Sequence, residues 1–369
     1  MTLDSLQLLF FKNYEEAALH LSPGLNCFIG DNGSGKTNLL DAIHYLALTK
    51  SAFTAADAQS IKQDADLFVV KGKFTSVLTD KPETIQVSLR AGQKKVLTHD
   101  KQAYDRMADH IGRYPAVLIS PYDTDLIRQG SEERRKYFDS LMAQLDHEFL
   151  EQLISYNALL RQRNAVIKQT NFSHGFDRDY LLAIDEQLAP LGTELAARRA
   201  AFLEAFVPLF QRHYQQLADG REDVTLTYKS QLPGADFARL LRDNERRDFA
   251  LQRTTQGIHR DDFVFLMNEL PVKAYASQGQ QKSFAIALKL AQFEMLASRP
   301  EHKPLLLLDD IFDRLDEKRI SRLLELVADD TFGQVFLTDT NLERTDRALS
   351  RVNTPIRRFR VQAGTVQSI

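Results

Sequence analysis

Gly30-Asp31-Asn32-Gly33-Ser34-Gly35-Lys36-Thr37 spells the phosphate-cradling pattern G-x-x-x-x-G-K-[ST], and its surroundings make the pattern credible. Leu25-Asn26-Cys27-Phe28-Ile29 precedes it as a short apolar stretch of strand type. After it, Leu39, Leu40, Ile43, Leu46 and Ala47 recur at helical spacing and predict one buried stripe. A strand, a glycine loop and a helix start aim backbone N–H groups and a positive dipole end at one point. Gly33 and Gly35 suit the left-handed backbone that such a loop needs. Lys36 is expected to reach the β/γ oxygens of a triphosphate, and Thr37 to ligate Mg²⁺. Gly30, Asp31, Asn32, Ser34 and Asn38 complete the expected cradle.

Composition frames that site. The chain has 369 residues, 43% hydrophobic and 26% charged, ordinary for a protein of more than one domain. Its single cysteine, Cys27, lies in the expected strand, so neither a disulfide framework nor a thiolate metal site is indicated. Met1 to Phe11 has no basic leader pattern, and no apolar run reaches the roughly 18 residues of a membrane span, which gives a cytoplasmic reading. A net charge of −3 argues against a basic coat all over the protein. It leaves room for local patches, and basic clusters stand at Arg134-Arg135-Lys136, Arg161 with Arg163 and Lys168, Arg198-Arg199, Arg246-Arg247, and Arg357-Arg358 with Arg360.

Residues 1–120 read as strand-rich, with Leu67 to Val70, Ile85 to Leu89 and Ala116 to Ile119 as β segments. From about 130 to 218 the period changes to helical, with Leu188, Leu191, Leu195, Phe202, Phe206 and Leu209 on one stripe and a kink expected near Pro208. Strands return beyond 223, then a helix, then Leu305-Leu306-Leu307-Leu308. Four consecutive leucines suit a central parallel strand, and Asp309-Asp310 at its end lie where α/β sheets bind ligands. Asp309 is expected in the Mg²⁺ shell and Asp310 beside the attacking water.

Tyr275-Ala276-Ser277-Gln278-Gly279-Gln280-Gln281-Lys282 precedes another apolar helix, where Ser277 is placed to cap the first turn. Ser-x-Gly-Gln at a helix start also resembles the signature of ABC-type ATPases, in which one subunit's signature closes on the γ-phosphate held by another. Together with Phe11-Lys12-Asn13-Tyr14, the phosphate loop, Gly257-Ile258-His259-Arg260-Asp261-Asp262 and Leu308-Asp309-Asp310-Ile311-Phe312-Asp313-Arg314-Leu315-Asp316, it resembles the RecF family, related to SMC and Rad50 heads.

The resemblance implies an α/β fold, an ABC-type ATPase head whose P-loop NTPase sheet carries flanking helices and an antiparallel β part. The head would be formed by 1–120 and 223–369, with a compact helical arm inserted at 121–222. It implies a weak, DNA-stimulated ATPase that dimerises with ATP on double-stranded DNA or single/double-strand junctions. RecR, with RecO and RecA acting indirectly, would be its partners at gaps. By position, Lys12, Asn13, Gly279 and Gln280 should touch nucleotide, and Ser277 should join Lys36 and Asp310 in catalysis. Asp316 should face the other subunit, and Thr338 to Thr340 should fall near the switch segment.

Two departures from the family pattern are visible. Lys12 stands where arginine is common, and Phe336-Leu337-Thr338-Asp339-Thr340 lacks the histidine familiar from transporters. A transporter subunit would more usually carry Leu-Ser-Gly-Gly-Gln. An SMC tether would need hundreds of heptad residues where this chain has a roughly 90-residue helical stretch. A nucleotide-gated scaffold without hydrolysis remains the rival from a different class, since Asp310 replaces the commoner glutamate. His259, a lone histidine, is expected to be structural or DNA-adjacent.

Overall fold

The computed structural model describes residues 1–75, 81–169, 178–218, 222–232, 234, 236–299, 303–313, 333–350 and 354–369. Strands β1 (Thr2–Phe11), β2 (Tyr14–His20) and β3 (Leu25–Ile29) lead into the glycine loop and helix α1 (Lys36–Leu48). Strands β4 (Leu67–Thr75), β5 (Pro82–Arg90), β6 (Val96–His99), β7 (Gln102–Ala103) and β8 (Ala116–Ile119) follow. Next come helices α2 (Asp125–Arg128), α3 (Ser131–Leu145), α4 (His147–Gln169) and α5 (Arg178–Ala218), then strand β9 (Val224–Lys229). Helices α6 (Phe237–Asp243) and α7 (Glu245–Leu251) precede β10 (Asp262–Met267), β11 (Leu270–Pro271), α8 (Val272–Tyr275) and α9 (Gln278–Ala297). The last described elements are β12 (Leu305–Leu308), β13 (Val335–Asp339), α10 (Leu342–Leu349), β14 (Ile356–Gln362) and β15 (Thr365–Ser368). Among the described residues, no helix is long and apolar enough to cross a membrane.

The chain divides into two compact units, one of residues 1–123 with 286–369 and the other of 124–285. The first holds two six-stranded sheets. One is antiparallel in the order β2-β1-β4-β5-β6-β7, and its long strands alternate buried and less buried positions, as one-sided strands do. The other has the order β15-β14-β3-β13-β12-β8 and is parallel except for the β14–β15 hairpin. Strands β3, β8, β12 and β13 are buried at every residue, which is the signature of parallel strands covered on both faces. The leucine run Leu305–Leu308 is indeed an interior strand, between β13 and β8.

Helix α1 departs from the single stripe that its spacing predicts. It is buried nearly all round, Asp41, His44 and Lys36 included, because it packs on strands of both sheets. Its apolar side chains join Phe68, Val70 and Val87 of the antiparallel sheet and Leu305, Leu307 and Phe336 of the parallel sheet in one core.

In the second unit, α4 pairs with α5, while α3 and α5 pack on the small sheet β11-β10-β9. Phe138 of α3 stacks on Phe263 of β10 with ring centroids 4.2 Å apart. Helix α5 is continuous from Arg178 to Ala218 with Pro190 and Pro208 inside it. This grouping differs from a helical insertion ending at 222. Strands β9 and β10 pair with each other and pack on α5 and α3, within the second unit.

Candidate functional site

Three loops converge at the C-terminal edge of the parallel sheet. Strands β3, β13 and β12 end at Ile29, Asp339 and Leu308, so the glycine loop, Thr340 and Asp309 all leave the sheet at that edge. The Gly30 N–H donates to the Asp339 carbonyl at 3.2 Å. Gly35 caps α1 with φ 117° and Gly33 has φ 79°, both left-handed values that glycine adopts without cost. A Cβ on Gly35 would stand 2.5 Å from Asn13 Nδ2, so this position has neither the conformation nor the space for a side chain.

Lys36 is 4% exposed, and its ammonium donates to the carbonyls of Gly30 (2.7 Å) and Asp31 (3.0 Å). The cation is thereby folded back across the mouth of its own loop. Thr37 Oγ1 donates to the Asp309 carboxylate at 3.0 and 3.1 Å, although the two residues are 272 positions apart. Thr338 Oγ1 donates to the same carboxylate at 2.9 Å and accepts from the Asp310 N–H at 2.9 Å. Burial pushes the Asp309 carboxyl up to about 6, Asp310 adds to the rise, and the Thr338 and Thr37 hydroxyls and Lys36 oppose it. Asp310 has φ 44°, a left-handed value for a residue with a side chain.

The residue set fits a Mg²⁺–triphosphate group. Asp309 is a buried carboxylate raised by desolvation, which a divalent cation would relieve, and Thr37 offers a hydroxyl beside it. Among the described residues, Ser34 Oγ is buried at the loop without a hydrogen-bond partner.

The flanking candidates take supporting positions. Asn13 donates from Nδ2 to the Ser34 carbonyl at 3.1 Å and accepts from Asn38 at 2.7 Å. Lys12 Nζ lies 2.6 Å from the buried Asp41 carboxylate of α1, which also accepts from Ser51 Oγ and Ala52 N–H. Lys12 is thus committed to an ion pair with the helix. Asp339 is engaged as well, accepting from Thr340 N–H and Thr345 Oγ1 at 2.7 Å each and pairing with Arg344.

The signature segment belongs to the second unit. Ser277 Oγ accepts from the Gln280 N–H at 3.3 Å, while Gln280 Oε1 accepts from the Ser277 N–H at 2.7 Å. This reciprocal pair is a capping box for α9, so the expected cap is present. Gln280 Nε2 donates to Glu222 at 2.9 Å, and the Gly279 carbonyl accepts from Ser283 Oγ at 3.2 Å. Ser277 itself remains exposed. Arg314, Leu315 and Asp316 lie outside the described residues.

His259 is structural in its contacts. Its Nε2 faces the Thr254 carbonyl at 3.1 Å and Nδ1 faces the Tyr156 hydroxyl at 3.0 Å, so the ring donates to the first and accepts from the second. Burial pushes its pKa down to about 4 and keeps it neutral.

Most of the basic clusters are held internally. Arg134 pairs with Asp262 at 2.8 Å, Arg199 with Asp139 at 2.7 Å, and Arg163 with both Asp185 and Asp248 at 2.6 Å, while Arg135 donates to the Asp261 carbonyl at 2.6 Å. Lys136 bonds its own helix through Glu132 and Glu133, and Arg198 bonds Asp146. Arg161, Lys168, Arg246 and Arg247 stay exposed. Burial of Arg163 and Arg199 was invisible in the sequence, because a basic run gives no sign of carboxylates that return from 22 to 85 residues away.

Sequence reasoning quoted Tyr14 without giving it a role and passed over Gly364. Tyr14 OH donates to the Gly35 carbonyl at 3.0 Å, and the Gly364 N–H donates to the Ser34 carbonyl at 3.1 Å. The available signal for Gly364 was a residue–glycine pair between two alternating runs, a hairpin mark that carries no hint of a binding loop.

The family model described as the RecF/RecN/SMC N terminal domain matches residues 2–365. A DNA replication and repair protein RecF from Flavobacterium johnsoniae is 47% identical over 346 residues, covering 94% of this chain and 96% of the relative. A solved structure described as the recombination mediator protein RecF with ATP in the RecFOR pathway superposes with a TM-score of 0.90 at 26% identity, covering 100% of this chain and 97% of that one. An SMC head bound to the C-terminal winged-helix domain of ScpA shares the fold, with a TM-score of 0.59 at 15% identity over 100% of this chain and 97% of that one. By sequence along its whole length and by the architecture of its head, the chain belongs to the RecF family of DNA replication and repair proteins.

Proposed function

We propose that this protein is an ATP-gated DNA-binding switch of recombinational repair. The observation that carries the reading is the contact of Thr37 with Asp309, which brings the two halves of a nucleotide site together from opposite ends of the chain. Loop N–H groups and Lys36 hold the triphosphate. Thr37 and Asp309 would hold Mg²⁺, which supplies charge neutralisation at the β- and γ-phosphates. Asp310, at the end of the same strand, accepts a proton from the attacking water or orients it. Asn13 acts by bracing the loop, and Lys12 by neutralising Asp41 on α1.

A second copy of the chain completes the site. Exposed Ser277 and half-buried Gly279, at the start of a long helix, offer a donor and a positive dipole end to a γ-phosphate presented by the partner. Gln280 shapes that helix start. The ATP-bound dimer holds double-stranded DNA or a single/double-strand junction, and slow hydrolysis releases it. RecR is the direct partner, with RecO and RecA downstream at gaps, in the cytoplasm. Exposed Arg161, Lys168, Arg246 and Arg247 supply sequence-independent phosphate contacts.

The test is a binding titration on gapped, single-stranded and double-stranded DNA, with and without ATP. ATP should tighten binding to the duplex-containing forms, and the log–log salt slope should be about −0.9 per phosphate contacted. Equal affinity with and without ATP, or a salt-independent affinity, contradicts the reading.

A further inference from the structure

Resting on the reading of Gly30 to Thr37 as the nucleotide loop, we infer that the β14–β15 turn and Tyr14 are positioning elements for that loop. A phosphate loop works only if successive N–H groups face inward, and this requires the intervening carbonyls to be held outward. The Ser34 carbonyl accepts two donors from distant turns, Asn13 Nδ2 at 3.1 Å and the Gly364 N–H at 3.1 Å. The next carbonyl, Gly35, accepts the Asn38 and Leu39 N–H groups of the first turn of α1 at 3.0 and 3.2 Å and, in addition, the Tyr14 hydroxyl at 3.0 Å. Tyr14 is fully buried, and burial raises its pKa, so this hydroxyl keeps its proton and remains a donor.

The β14–β15 turn is built for this contact. Gln362 pairs with Thr365, leaving the two-residue loop Ala363-Gly364, and both residues have positive φ, 46° and 78°. A Cβ on Gly364 would lie 2.6 Å from the Asn13 carbonyl, so the turn packs directly on the other brace. At the start of the loop, a Cβ on Gly30 would lie 2.1 Å from the Val361 carbonyl, so β14 also lies against the loop there. The two hairpin turns therefore grip the loop from outside, and nucleotide binds a loop that is ordered beforehand.

The inference predicts a selective loss. Gly364→Ala forces a strained turn and a clash with Asn13, and Tyr14→Phe removes one hydroxyl without changing shape. Each should weaken binding of a fluorescent ATP analogue by about five- to tenfold, the effect of losing one buried hydrogen bond to the loop. Each should also raise amide exchange at residues 33–37 in the nucleotide-free protein while protection elsewhere in the parallel sheet is kept. Ala363→Asn provides the rescue control, because Asn-Gly suits a turn with two left-handed residues, and it should bind the analogue as wild type does. Should Gly364→Ala fail to fold, Tyr14→Phe alone carries the test. Wild-type affinity in a folded Tyr14→Phe protein, or exchange raised evenly across the sheet, overturns the inference. Lys36→Ala is run beside them. Undiminished analogue binding in that variant would instead overturn the reading of the loop as the nucleotide site.

Discussion

Replacing Lys36 by alanine is the perturbation whose size the geometry constrains best. The ammonium makes two hydrogen bonds, to the Gly30 and Asp31 carbonyls, from a position that is 4% exposed. Binding ATP exchanges these contacts for charge-assisted bonds to phosphate oxygens, so the change in affinity is a difference and not the full strength of the new bonds. The ammonium is already an ionised donor to these carbonyls, at about 1.5–3 kcal/mol per bond, so the gain on binding comes from the anionic acceptor and is set at about 0.5–2 kcal/mol per bond. The net loss for two exchanged bonds is therefore about 1–4 kcal/mol, or roughly five- to several-hundredfold in Kd. Fold stability should suffer less, since the neutral side chain leaves only carbonyls that water at the loop mouth can reach. The assay is titration with a fluorescent ATP analogue, with a urea melt of the same sample. A Kd within threefold of wild type would refute the assignment of Lys36 to the phosphates.

Other outcomes follow from neighbouring features. Asp310→Asn should still bind ATP and accumulate a dimer that does not turn over, since asparagine tolerates the left-handed φ of 44° but cannot take a proton; phosphate release from the variant at the wild-type rate would remove Asp310 from the water-handling role, whereas no phosphate release from the wild-type protein would favour the scaffold alternative. Arg163→Ala should destabilise the fold by about 3–5 kcal/mol, because it strands the buried carboxylates of Asp185 and Asp248, and urea melts giving less than about 1 kcal/mol would contradict this. Stability should also fall on acidification. His110 and His259 are held neutral with pKa values pushed from 6.5 down to about 4 by burial, so the unfolded chain takes up protons first. Their contribution is intact above about pH 6.5 and is lost as pH drops toward 4, at up to about 3 kcal/mol each, so a protein more stable at pH 5 than at pH 7.5 would count against it.

The parts of the fold legible in the sequence were those written locally. The glycine loop, the all-leucine strand Leu305–Leu308, the strand Ala116–Ile119 and the Ser277 cap each announce themselves within a few residues. Two things were not legible. Helix α1 looked one-sided because Asp41 and His44 read as polar, whereas Asp41 is buried against Lys12 from the β1–β2 turn, and no local pattern records that pairing. The contact-defined unit 124–285 runs beyond the helical stretch read at 121–222. Strand β9 follows the long helix α5 in sequence, but its register with β10 ties it to the core under α3 and α5, and only the long-range packing of Phe138 on Phe263 reveals this. Within the site the same division holds. Residue types at the phosphate loop gave the chemistry, while the braces from Tyr14 and Gly364 depend on hairpin turns meeting in space.

The central claim, a switch completed by two copies, is tested most directly by light scattering of wild type and Ser277→Arg with ATP and Mg²⁺, alongside ATP-analogue affinity measured on the monomers. The account predicts that wild type doubles its mass on adding ATP. It predicts that Ser277→Arg stays monomeric while binding the analogue nearly as well as wild type, and that mixing it with Lys36→Ala restores part of the dimer through one intact composite site. Loss of monomeric affinity in Ser277→Arg as severe as in Lys36→Ala would place the signature in its own subunit's site and contradict the two-copy mechanism.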